Sequence, residues 1–231
     1  VIYVVRYALC ALYTLFWAIL AILATVVDRK GGLVIGIAHT WIRWVFATCN
    51  VTVEARGLEN VRPDQPYVFM SNHQSVWDIA GLIATLPVSW RFVAKKELTW
   101  IPFFGWALYL HGHVIVDRGN RQKAVASLER AAERVRQGLN VVIFPEGTRS
   151  ETGTMREFKS GGFHLALQAG VPILPVSVSG GRNITRKRSL KIEGGHLTVV
   201  YGKPIPTAGL SIDDRNGLKA EVRRAITEGL I

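Results

Sequence analysis

Residues 114–144 read VIVDRGNRQKAVASLERAAERVRQGLNVVIF, and the fold class follows from this run. Two short β-branched, apolar runs, Val114–Val116 and residues 141–144, bracket a stretch in which Ala124, Val125, Leu128, Ala131, Ala132 and Val135 recur at helical spacing. Asn120 is placed to cap that helix at its start and Gly138 to end it. A strand, a helix and a strand at this spacing predict a right-handed parallel crossover, the repeating unit of α/β proteins.

The same pattern extends in both directions. Residues 51–55 alternate as a half-buried strand does, and residues 67–71, 91–94, 173–178 and 196–201 read as further short strands. Helices are expected over 75–86 and 162–169, and Ser211 with Asp214 reads as a capping box for a closing helix to about Glu228. No internal repeat or low-complexity segment interrupts the series.

The first 27 residues carry one charge, Arg6, and as a helix they reach about 40 Å, enough to cross a hydrocarbon layer of about 30 Å with some tilt. The apolar part is too long for a cleaved leader, and Asp28-Arg29-Lys30 follows it without a small-x-small site. After a turn at Lys30-Gly31-Gly32, residues 33–52 are apolar again but hold His39, Trp41, Arg43 and Trp44, a mixture suited to the headgroup region. Residues 1–50 therefore read as a membrane-associated two-helix hairpin and 51–231 as the α/β domain. Basic residues flank both ends of the first helix, so crossing the bilayer and dipping into one leaflet both remain open.

The 231 residues carry a formal charge of +11 and are 49% hydrophobic, which is ample for a core and points to a polyanionic partner. Arg and Lys are scattered without a Walker loop, an RNP stretch or a zinc pattern, so nucleic acid is not the expected partner. Cys10 and Cys49 sit in apolar segments without a C-x-x-C neighbour, as buried hydrophobes do. The densest basic stretch, Arg182, Arg186, Lys187, Arg188 and Lys191, reads as a loop against anionic lipid, with the phosphates of coenzyme A or an acidic carrier protein as the alternative.

In open α/β sheets ligands gather beyond the carboxyl ends of the strands. His73 falls there, after strand 67–71, and Asp78 follows in the first turn of the next helix, so the two side chains can converge. An imidazole with a carboxylate that fixes its tautomer is a general base for an alcohol. Taken alone, this spacing reads more readily as a helix N-terminal hydrogen-bonding group. Residues 144–150, Phe-Pro-Glu-Gly-Thr-Arg-Ser, follow another strand and offer the Glu146 acceptor, the Thr148 hydroxyl and the Arg149 fork, which suits a phosphate. Glu146 and Arg149 read equally well as a structural pair.

Taken in order, these segments resemble the four blocks of the glycerolipid acyltransferases, most closely the 1-acylglycerol-3-phosphate acyltransferase branch. Asn72-His73 to Asp78 resembles the first block, residues 112–118 the second, 144–150 the third and 171–176 the fourth, and residues 95–98 and 158–164 also read as in that family. The resemblance implies an α/β fold with a mixed, largely parallel sheet flanked by helices. It implies transfer of a fatty acyl group from acyl-CoA or acyl carrier protein to the sn-2 hydroxyl of lysophosphatidic acid, at the cytoplasmic face of the cell inner membrane. His73 would be the base and Asp78 its orienting acid. Arg118, Arg149 and Lys95 would bind the acceptor phosphate, with Glu146, Gly147 and Thr148 completing the substrate-binding set, and the strand from Pro172 to Val176 would lie near an acyl chain, or equally be an ordinary core strand. No metal or cofactor is implied beyond the acyl thioester. Glu151 departs from the family pattern, which often has a basic residue there.

No G-x-S-x-G elbow is present and neither cysteine neighbours a histidine, which favours direct attack over an acyl-enzyme. The amides opening helix 75–86 are candidates for an oxyanion site. Other readings are a metal hydrolase, with His111 and His113 on one face of a strand, a basic lipid-binding module without activity, and an acyltransferase for glycerol 3-phosphate or a lyso-aminolipid.

Overall fold

The computed structural model describes residues 1–28, 31–185 and 189–231. Lys30 of the expected turn and Arg186, Lys187 and Arg188 of the basic stretch lie outside the described residues. Two long helices open the chain, α1 (Ile2–Val27) and α2 (Gly32–Cys49), and both are long and apolar enough to cross a membrane. A stripe of small residues on α1, Ala18, Ala21 and Ala24, is buried, while Trp44 of α2 meets Tyr13 and Trp17 edge-on at 5.3 and 5.2 Å. Gly31 makes the turn with φ +80, and the Asp28 carboxylate accepts from the amides of Gly31 and Leu33 at 3.1 and 2.6 Å. The opposite face of α1, with Leu12, Leu15, Phe16, Ile19 and Leu23, is exposed and suits lipid.

The α/β part contains β1 (Val51–Arg56), β2 (Val68–Ser71), α3 (Val76–Thr85), β3 (Trp90–Lys95), α4 (Phe104–Leu110), β4 (Val114–Val116), α5 (Arg121–Arg136) and β5 (Asn140–Ile143). It continues with α6 (Gly161–Ala169), β6 (Ile173–Ser179), α7 (Gly181–Ile184), β7 (Gly195–Tyr201) and α8 (Arg215–Glu228). The seven strands form one sheet in the order β1-β7-β6-β2-β5-β3-β4. Among the described residues only the β6–β7 strand pair is antiparallel, so the sheet is mixed and largely parallel. The crossover from β4 through α5 to β5 is present, with the Asn120 side chain accepting from the Lys123 amide at 3.0 Å. Its two strands are not neighbours, however, because β3 pairs with both and lies between them.

Alternation along the strands separates two cores. Phe69, Val142, Leu174 and Val176 face α2 and α3, whereas Val68, Met70, Val141, Ile143 and Ile173 face α5, α6 and α8. Ile42, Val45, Phe46 and Cys49 of α2 belong to the first core, so the second half of the hairpin is built into the α/β domain. The free thiols of Cys10 and Cys49 lie 3.7 Å apart, joining α1 to that junction.

Two local expectations are corrected. Asp214, not Ser211, precedes the closing helix. The Asp214 carboxylate reaches back to the Ser211 amide and hydroxyl at 2.7 and 2.9 Å, and the intervening residues form a turn. Residues 173–178 are a core strand: Ile173, Leu174, Val176 and Val178 are buried and none of them lines the cavity described below.

Candidate active site

Chain reversal after β2 builds the site. Asn72 continues the pairing with β6 through its side chain, donating to the Val178 carbonyl and accepting from the Val178 amide, both at 2.8 Å. His73 therefore leaves the sheet in a fixed direction. Ser75 caps α3 and Asp78, three residues on, completes a capping box, which is what turns the acid toward the strand exit. The Asp78 carboxylate is 1% exposed, and its Oδ2 accepts from the amides of Gln74 and Ser75 at 2.6 and 2.7 Å and lies 3.0 Å from His73 Nδ1. An ionised carboxylate only accepts, so Nδ1 carries the proton and Nε2 is the free, basic nitrogen. Nε2 has no protein partner among the described residues.

The same contacts commit the Gln74 and Ser75 amides to Asp78. Gly181 closes the back of the carboxylate. A Cβ at that position would lie 2.8 Å from Asp78 Oδ1 and 3.1 Å from Ser75 Cβ, so only a hydrogen fits.

The loop after β5 supplies the second half. Phe144 stacks on the His73 ring at 4.0 Å and an interplanar angle of 20°, which fixes the remaining freedom of the imidazole. Glu146 is 2% exposed and accepts from the His73 amide at 2.7 Å and the Arg156 amide at 2.8 Å, one on each carboxylate oxygen. Burial pushes its carboxyl up from the ordinary value, and the two amides pull it back. The His73 carbonyl in turn accepts from the Ser150 amide at 2.8 Å. Glu146 thus ties two loops together behind the base, away from the cavity. Gly147, with φ +72, bends the loop so that its carbonyl accepts from the Arg118 guanidinium. Burial lowers the Arg118 pKa, with Glu97 acting in the opposite sense.

A cavity of about 560 Å³ opens at this edge. His73, Lys95, Arg118, Gly147, Thr148 and Arg149 all line it, so the structure gathers six of the eight expected residues on the wall and sets Asp78 and Glu146 behind them. The cavity follows β3 toward the opposite edge of the sheet, about 17 Å for its six residues. Its interior is largely apolar, with Trp17 and Ala21 from α1, Ile37 and Trp41 from α2, and Phe92 and Leu108 among its walls, and His111 and His113 also line it. Phe144 falls inside the 144–150 motif without a role assigned to its ring, and the motifs do not point to Gly181 or the hairpin residues, for which the run of bulky aromatics in α1 and α2 is the available signal.

His111 and His113 do not share a strand face. His111 follows α4 and His113 precedes β4, their rings lie 5.6 Å apart, and the Phe92 amide donates to His113 Nδ1 at 2.9 Å. Among the described residues no three His, Cys, Asp or Glu side chains come together as metal ligands.

Fold and site together define an α/β enzyme with two apolar N-terminal helices and a hydrogen-bonded His–Asp pair at the mouth of a largely apolar cavity. An acyltransferase family model matches residues 52–179, from the first strand of the sheet to the end of β6. The chain is 35% identical over 215 residues to the human 1-acyl-sn-glycerol-3-phosphate acyltransferase alpha, covering 93% of this chain and 76% of that protein. It is 34% identical over 181 residues to the 1-acyl-sn-glycerol-3-phosphate acyltransferase of Pseudomonas aeruginosa, covering 75% and 68%. The crystal structure of the 1-acyl-sn-glycerophosphate acyltransferase PlsC from Thermotoga maritima superposes with a TM-score of 0.85 at 26% identity, over 99% of this chain and 92% of that one. The chain belongs to the acyltransferase family.

Proposed function

We propose that the protein is a 1-acylglycerol-3-phosphate O-acyltransferase, which moves a fatty acyl group from acyl-CoA or acyl carrier protein to the sn-2 hydroxyl of lysophosphatidic acid and yields phosphatidic acid. The observation that carries the reading is the His73–Asp78 pair, 3.0 Å apart at the mouth of an apolar cavity rimmed by Lys95, Arg118 and Arg149. The cationic rim takes the acceptor phosphate, bidentately where a guanidinium meets it. The apolar interior takes a fatty chain.

His73 Nε2 accepts the hydroxyl proton as the alcohol oxygen attacks the thioester carbonyl, and Asp78 stabilises the imidazolium that forms. Collapse of the adduct breaks the C–S bond, and the imidazolium returns the proton to the leaving sulfur. Attack is direct: His73 is the side chain at the mouth with a free basic nitrogen, and holding both substrates in line supplies much of the rate. Asp78 and Glu146 act through His73 and touch no substrate. Membrane placement follows from α1, with the site on the cytoplasmic side of the inner membrane, where thioester donors are made.

The purified chain, offered lysophosphatidic acid, glycerol 3-phosphate and lyso-aminolipids in turn with acyl-CoA or acyl carrier protein donors, is expected to form phosphatidic acid fastest. Faster acylation of another acceptor replaces the substrate assignment. No transfer from either donor, or a covalent acyl group trapped on a Ser or Cys, overturns the mechanism.

A further inference from the structure

The segment between β3 and β4 has a surface unlike that of the rest of the α/β domain. Trp100, Ile101, Phe103, Trp106, Tyr109 and Leu110 are all exposed, Trp100 by 69% and Tyr109 by 72%. Six large apolar side chains within residues 100–110 form a patch that a water-facing surface does not carry. The backbone pays for it: Phe103 has φ 60 and ψ −54, a strained γ-turn closed by the Phe104 amide donating to the Pro102 carbonyl at 2.7 Å. That turn sets the Phe103 ring outward, 5.0 Å from Trp106.

The two faces of α4 do different things. Phe104, Ala107 and Leu108 line the cavity, whereas Trp106, Tyr109 and Leu110 face out. Helix α4 packs against α1, and Ile22 of α1 shares a groove with Thr99, Gly105, Trp106 and Tyr109. The outward patch is therefore continuous with the lipid-suited face of α1. Gly105 permits the close fold of this segment, since a Cβ there would lie 2.5 Å from the Thr99 carbonyl oxygen. Lys95, on the cavity wall, and Lys96, paired with Asp117 at 3.2 Å, precede the patch by four to five residues, and Trp and Tyr near Lys is the composition that anchors at the boundary of headgroups and chains.

We propose that residues 100–110 form a third membrane-contacting element, which seats its aromatic face in an anionic leaflet beside α1 and makes α4 the partition between bilayer and cavity. The inference rests on the membrane placement of α1 and not on which acyl acceptor is used. Lipid, rather than a second copy of the chain, is the occupant because the patch continues the face of α1 and is preceded by cationic side chains.

The full chain is bound to vesicles of phosphatidylcholine and phosphatidylglycerol, with and without brominated acyl chains, and compared with the double variant Trp100→Phe/Trp106→Phe, in which the rings stay apolar. The emission lost in the variant, which belongs to these two indoles, is expected to be quenched about twofold or more by brominated lipid. If that emission is unquenched while the remaining tryptophans are quenched, the segment faces water and the proposal fails. A Trp106→Cys variant that cross-links efficiently to a second chain in the same vesicles also overturns it, by assigning the face to a copy of the protein. The readout needs no turnover, so it stands apart from the fate of the catalytic reading.

Discussion

At the carboxyl edge of the sheet His73 sets Nδ1 3.0 Å from a buried carboxylate and turns Nε2 to the cavity; at the amino edge His111 and His113 lie near the Arg91 guanidinium, their rings 5.6 Å apart. One sheet thus carries imidazoles in two opposite settings. Burial holds His111 and His113 down at about 3, with Arg91 adding to the depression of both and Asp28 opposing it weakly at His111. Such rings stay neutral near pH 7 and are too weakly basic to take a proton from an alcohol. Burial, reinforced by a cationic neighbour, rather than residue type, is what holds these two rings neutral.

Replacing each ring tests that contrast most severely. His73→Ala is expected to lower acyl transfer by about 10²–10⁴-fold, the ordinary yield of a positioned base. His113→Asn, which keeps an acceptor for the Phe92 amide, should change turnover at neutral pH by less than about threefold, because a neutral ring is replaced by a neutral amide. Initial rates with a thioester donor measure both. Comparable losses in the two variants would end the comparison.

The buried acid behind His73 gives the next effect. In Glu146→Gln the new NH₂ cannot accept, so either the His73 or the Arg156 amide loses its partner at a cost of about 1–3 kcal/mol. Release of the His73 backbone misplaces Nε2, and kcat should fall by about 100-fold with KM little changed. A rise in KM at constant kcat would instead make Glu146 a substrate contact. Gly181→Ala acts at one further remove: the added methyl pushes on Asp78 Oδ1, and a loss of about tenfold in kcat is expected with the Lys95, Arg118 and Arg149 rim intact. Unchanged kcat would show that Asp78 tolerates displacement.

How far these positions could be read from the chain follows from which forces act locally. The crossover helix, the His73–Asp78 convergence and the loop at 144–150 are set by caps, turns and periodicity within a few residues, and the structure contains each of them. Insertion of β3 between β4 and β5 is not local: periodicity reports that Ala94 and Val114 are buried but not which strand each one meets. The resemblance implies a substrate contact for Glu146, and taken by itself the loop carboxylate reads as an acceptor or as half of a structural pair. Its two amide partners come from residues 73 positions before it and 10 after it, a pairing that only the folded sheet brings about. Gly181 carries no motif at all, since its role is the space it leaves. The helix expected from Ser211 starts three residues later, because the Ser211–Asp214 hydrogen bonds close a turn ahead of it.

The smallest expected effect concerns the amino-edge imidazoles and is one of stability. His113 is neutral in the folded protein down to about pH 3, whereas in the unfolded chain it takes a proton below its ordinary value near 6.5. Between these values the unfolded state binds more protons, so folding stability is fully present above about pH 6.5 and drains away as pH falls toward 3. His113→Asn removes one of the two rings responsible and keeps the acceptor, so its unfolding midpoint should depend less steeply on pH. The difference between variant and parent should grow by about 2 kcal/mol in the variant's favour from pH 7 to pH 5. Denaturant titrations in detergent at the two pH values measure it. Parallel pH profiles for variant and parent would mean that the folded protein lets His113 take up a proton, and the amino edge would then be no less open to charge than the carboxyl edge.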